Sequence, residues 1–142
     1  MADFKPCSRF SGPVSGSVPG PLRARLYCTN AMLEKEFFIV LSTCPDTATA
    51  ERIARDLLEA SLVACVNIAP GLRSIYRWNG VVQADEEALM ILKTTADRLH
   101  AARERLVELH PYDVPEFIAL PVADGHHPYL QWVADSTRTP RE

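Results

Sequence analysis

The sequence predicts an α+β domain whose elements run β-α-β-β-α-β and end in a short helix. Three observations carry that reading: a long strand–turn–strand stretch centred on Asn79-Gly80, helical periodicity on either side of it, and a continuous apolar run ahead of the first helix. With 142 residues, 47% hydrophobic content and a formal net charge of −3, the chain is long enough for one domain with an ordinary core. That charge gives no general pull toward nucleic acid. No apolar run approaches the roughly 20 residues of a membrane span, and the N-terminus lacks the apolar core of a secretory signal. A cytoplasmic protein with neither nucleic-acid nor membrane partners is expected.

Residues 1–33 carry Pro6, Pro13, Pro19, Pro21, Gly12, Gly16 and Gly20 among serines and arginines, with neither helical nor strand period. A disordered extension is expected there, with Met32 as a candidate natural start. The domain is expected over 34–138, followed by a frayed tail over 139–142. Phe37-Phe38-Ile39-Val40-Leu41 reads as a buried central strand. Asp46 then suits a helix N-cap, and Ala50, Ile53, Ala54, Leu57 and Leu58 recur at helical spacing to about Ala60.

The hairpin spans Ser61 to Lys93. Asn79-Gly80 supplies two residues that tolerate positive φ, as a type I′ turn requires. A two-residue turn sets Trp78 opposite Val81, Tyr76 opposite Gln83, Ile75 opposite Ala84 and Ser74 opposite Asp85. Pro70-Gly71 marks a bend or bulge in the first arm. A second helix starts at Thr94 or Thr95, carries Leu99, Ala102, Leu106 and Leu109, and is stopped by Pro111. Phe117 to Val122 is a short edge strand, Asp124-Gly125-His126-His127 a loop, and Pro128 suits the first turn of a last helix to about Ser136. This order is the ferredoxin-like split βαβ pattern, here with an unusually long hairpin between its second and third strands.

That hairpin also argues for assembly. An arm from Ala64 to Trp78 reaches roughly 50 Å when extended, against a radius of gyration of roughly 13 Å for a domain of about a hundred residues. Ala88 to Leu92 is apolar at both parities and asks for cover on both sheet faces. The helices cover one face, so the other points to an oligomer.

The runs LVACVNIAPGLRSIYRWNG, EEALMILKTT, HPYDVPEFIALPV and YLQW, in this order from Glu36 to about Arg138, resemble the CutA (CutA1) divalent-cation tolerance proteins. The resemblance implies a homotrimer of ferredoxin-like subunits and a part in tolerance of divalent metals, copper especially, with no obligatory cofactor. It also implies metal ligands at His110 and Glu116. The cysteine of bacterial members aligns with Ser42, whereas this chain has Cys44, which shares Ser42's parity along an extended strand.

Chemically, His110, Glu116 and a Cys44 thiolate offer nitrogen, oxygen and sulfur donors to Cu2+ or another divalent cation. Equally, His110 suits the free carbonyls of a helix end. Tyr76, Tyr112, Lys93 and Asp113 are candidates for a ligand cleft between subunits. Trp78 and Trp132 are read as trimer-interface anchors. His126-His127 reads as a solvated turn, Asp85-Glu86-Glu87 as a solvated arm split between faces, and Cys65 as a small buried hydrophobe. The four cysteines lack the paired spacing of a zinc site, and reduced thiols are expected.

The leading expectation is a non-catalytic, trimeric metal-binding protein. The second is a small-molecule sensor resembling the trimeric nitrogen-regulatory signal-transduction proteins, although no glycine-rich phosphate loop is present. An enzyme would need Cys44, His110 and Asp113 to converge, and nothing in the sequence indicates that they do.

Overall fold

The structure, a computed structural model, describes residues 36–138. The expected extension over 1–33, the start at Met32 and the tail over 139–142 lie outside the described residues. The elements are β1 (Phe37–Cys44), α1 (Thr47–Glu59), β2 (Cys65–Trp78), β3 (Val81–Thr95), α2 (Ala96–Leu109), β4 (Ile118–Pro121) and α3 (His127–Ser136). The strands form one antiparallel sheet in the order β2-β3-β1-β4.

Local chemistry sets the element ends. The Asp46 carboxylate accepts the Thr49 amide at 2.7 Å and caps α1. At the other end Ser61 takes φ 53°. The Leu62 amide there donates to Leu57 and the Ser61 amide to Leu58, the paired bonds of a Schellman stop. Thr95 occupies the N-cap position of α2 without a side-chain cap bond; its hydroxyl instead lies 3.1 Å from that of Thr137 after α3. His110 ends α2 with ψ 139°, the extended conformation imposed on a residue before proline.

The expected turn and register both hold. Asn79 and Gly80 have φ 48° and 79°, and Trp78↔Val81, Tyr76↔Gln83, Ile75↔Ala84 and Ser74↔Asp85 are the observed pairs. The ladder shifts between Ala69 and Leu72, with Gly71 at φ 73°. This bulge at Pro70-Gly71 inserts one residue into β2. As a result Leu72, Ser74, Tyr76 and Trp78, rather than their odd-numbered neighbours, share a face with Ala69 and Leu89.

The core lies on the other face. Val40 and Cys44 of β1 and Ala88, Met90 and Leu92 of β3 are buried with Ala50, Ile53 and Leu57 of α1 and Ala102 and Leu106 of α2. Alternation sends Ile39, Leu41, Leu89, Ile91, Ile118 and Leu120 to the opposite face. None of these six is buried. At one end of that face Phe37 and Thr95 are buried, where α3 lies against β3; the remainder has no cover from the described residues. The apolarity of Ala88 to Leu92 at both parities asks for cover on both faces, and α1 and α2 cover one of them.

Candidate functional site

Two neighbouring features hold the chemistry, both built around the turn that follows α2. In the first, His110 is drawn against the end of β1. The strand persists through Cys44, so Ser42 and Cys44 point to the same side and both are 0% exposed. Cys44 Sγ lies 3.5 Å from His110 Nε2, which is also 2.9 Å from the Thr43 carbonyl oxygen. The Tyr112 amide donates to Nδ1 at 3.1 Å. Since Nδ1 must therefore offer a lone pair, the proton sits on Nε2 and is donated to Thr43. Burial holds the imidazole below its ordinary pKa, and thus neutral. Burial, followed by the charges of Asp46 and Glu87, pushes the Cys44 thiol up to about 11.

The structure thus brings together two of the three expected metal ligands. Glu116 lies apart, lining a cleft to which neither Cys44 nor His110 contributes. Among the described residues no group of three His, Cys, Asp or Glu side chains is gathered to hold a metal ion. The thiol and imidazole fit a soft ion in donor type, but both ring nitrogens are engaged and the thiol carries its proton. Taking up a metal there requires the 110–112 turn to move.

The second feature is that cleft, about 750 Å³, between the hairpin and residues 111–116. Its walls include Tyr76, Trp78, Tyr112, Glu87, Asp113 and Glu116. Tyr112 donates its hydroxyl to Glu87 at 2.9 Å, and Tyr76 donates to Asp85 at 2.6 Å. Burial and the Glu87 contact raise the Tyr112 pKa; the bond to Asp85 raises that of Tyr76.

Of the expected cleft residues, Tyr76, Tyr112 and Asp113 meet here and Lys93 does not. Lys93 pairs with Cys65 and Ile39, far along β3 from the hairpin tip. Its ammonium donates to Asn67 and to the Ile91 carbonyl and lies 3.8 Å from Cys65 Sγ. Correct parity did not bring it to the cleft, because six residues of strand from Glu87 to Lys93 span about 20 Å. Trp78 is a cleft wall and half exposed; Trp132 is also half exposed, 5.5 Å from the Tyr129 ring.

Two further readings need correction. Glu87 is not solvated but 8% exposed, because the turn after α2 folds over it and brings the Tyr112 hydroxyl to its carboxylate. Its alternation with Asp85 and its shared parity with Leu89 were the available signal; the long-range loop contact had none. Cys65 is only partly buried, on the uncovered face, rather than in the core. His126 and His127, by contrast, are exposed as expected.

An antiparallel sheet with α1 and α2 on one face, an extended hairpin and an acidic aromatic cleft defines a small α+β protein. The family model described as "CutA1 divalent ion tolerance protein" matches residues 38–136, and the chain belongs to the CutA1 family. A relative from Thermus thermophilus, "Divalent-cation tolerance protein CutA", is 50% identical over 99 residues, spanning 70% of this chain and 96% of its own length. The crystal structure of CutA from Xylella fastidiosa superposes with a TM-score of 0.71 at 41% identity, covering 72% of this chain and 98% of that one. The structure from Archaeoglobus fulgidus, described as a periplasmic divalent cation tolerance protein, gives 0.70 at 34% identity, with 72% and 99% covered.

Proposed function

We propose that this chain serves divalent-cation tolerance as a homotrimer that binds metal without catalysing a reaction. The names of its relatives support the tolerance role. The uncovered apolar sheet face supports assembly, with Trp78 and Trp132 at the contacts between copies. The strand order, with α1 and α2 on one face, supports the ferredoxin-like reading of each subunit. The proposed compartment is the cytoplasm, where Cys44 and Cys65 stay reduced. Among the described residues no helix is long and apolar enough to cross a membrane.

The observation that carries metal binding is the 3.5 Å approach of Cys44 Sγ to His110 Nε2. A divalent ion such as copper would displace the thiol proton, and the imidazole, still neutral, would carry its proton on Nδ1 so that Nε2 can ligate. With the 110–112 turn opened, Glu116 would supply the third donor. Because the thiol proton would leave, affinity is expected to rise with pH. Titration of copper and zinc into the full-length protein, beside Cys44→Ser, His110→Ala and Glu116→Ala, tests this. Stoichiometric binding that weakens in all three variants is expected. Unchanged affinity in the variants would remove these ligands, and no binding would remove the metal role.

A further inference from the structure

We propose that Tyr112, tied to Glu87, is a strap that gates the Cys44–His110 pair. The proposal deepens the metal reading and rests on it for the ligand admitted; the strap itself stands on bonds within one chain and needs no open cleft. Tyr112 holds the turn after α2 twice. Its amide donates to His110 Nδ1 at 3.1 Å, and its hydroxyl donates to a Glu87 carboxylate oxygen at 2.9 Å. Its ring also lies against the imidazole, with the two centroids 5.0 Å apart. Glu87 belongs to β3 and is 8% exposed, so residue 112 is fastened to the sheet rather than to a second loop.

The amide bond makes the strap an obstacle to any ligand of Nε2. While the Tyr112 N–H points at Nδ1, that nitrogen must be the acceptor and Nε2 must carry the proton, which goes to the Thr43 carbonyl. Freeing the Nε2 lone pair moves the proton to Nδ1, where it would face the Tyr112 N–H, donor against donor. The imidazole therefore cannot present Nε2 beside Cys44 Sγ until residue 112 withdraws. The Tyr112–Glu87 bond resists that withdrawal, and a hydrogen bond to a charged acceptor is worth a factor of roughly ten or more in the closed-to-open ratio. Ligand affinity falls by the same factor, because only the open fraction binds. Cys44, 0% exposed with its Sγ 3.5 Å from Nε2, is uncovered by the same movement.

The gate is read first without metal. Full-length protein is treated with iodoacetamide at fixed pH, and alkylation of Cys44 is followed by peptide mass spectrometry. Tyr112→Phe, which keeps the ring and the amide bond, is expected to raise the Cys44 rate about tenfold. Glu87→Met should raise it as much and the double variant no further, since both substitutions remove one bond. Gly71→Ala, which weakens the fold elsewhere, should leave the rate unchanged. Zinc chloride is then titrated, and Tyr112→Phe should bind it about tenfold more tightly than the unsubstituted protein. The proposal is overturned by any of four results: an unchanged Cys44 rate in Tyr112→Phe, additive effects of the two substitutions, an equal rise in Gly71→Ala, or zinc affinity that is measurable but equal in the two proteins. Zinc binding to neither protein, with the alkylation results as expected, would remove the metal reading and leave the strap standing.

Discussion

His110 donates its Nε2 proton to the carbonyl of Thr43 at 2.9 Å, so the turn after α2 is pinned to the last residues of β1. The same turn carries Tyr112, Asp113 and Glu116 over the cleft, and the imidazole thereby sets the cleft's outer wall. Burial lowers the His110 pKa in the folded protein. Below pH about 6.5 the unfolded chain takes up this proton while the folded chain resists. Stability is complete above that pH and is lost as pH falls toward the folded value. Denaturant melts from pH 7.5 to 5 should show this slope, and His110→Gln should flatten it; an equal slope in the variant would assign the titration elsewhere.

Ser42 is 0% exposed, and among the described residues its hydroxyl has no hydrogen-bond partner. A buried unsatisfied hydroxyl costs more than the contacts of one oxygen atom return. Ser42→Ala is therefore expected to stabilise the fold by about 1 kcal/mol, read from the midpoint of urea unfolding. A loss of stability would mean that the hydroxyl has a partner within the assembly.

Two positive-φ positions should respond in opposite directions. Ser61, at φ 53°, bears the strain of a left-handed residue with a side chain, and Ser61→Gly should gain about 1 kcal/mol. Gly71, at φ 73°, has nothing within 4 Å of the position of a Cβ atom. Gly71→Ala should cost about 1 kcal/mol through backbone strain alone. Equal shifts of one sign in both melts would contradict the assigned geometry.

Local signals were legible in the sequence. Asn79-Gly80 specified the turn and through it the register, Asp46 the first cap, and Pro111 the stop of α2. The continuous apolarity of Ala88 to Leu92 anticipated a sheet with two faces to cover. Long-range contacts were less legible. The meeting of His110 with Cys44 depends on where α2 ends in space, and family likeness rather than periodicity paired them. Glu87 looked like one of three solvated acids because nothing local shows that Tyr112 returns to it. Lys93 had the right parity but lay too far along the strand, a reminder that face and position along a strand are separate questions.

The uncovered face gives the assembly its own test. Ile91 lies near its middle, beside Leu41 across the ladder. Ile91→Lys should separate the copies while leaving the helix-covered core and the circular dichroism spectrum intact, because Ile91 points away from that core. A variant with unchanged assembly would place the contact elsewhere.

The central claim is that the working unit is three chains closed over this face. Light scattering coupled to size exclusion on the purified full-length protein tests it most directly. A molar mass three times that of the chain, reduced by Ile91→Lys, is the predicted result. A stable, folded monomer at micromolar concentration would contradict it.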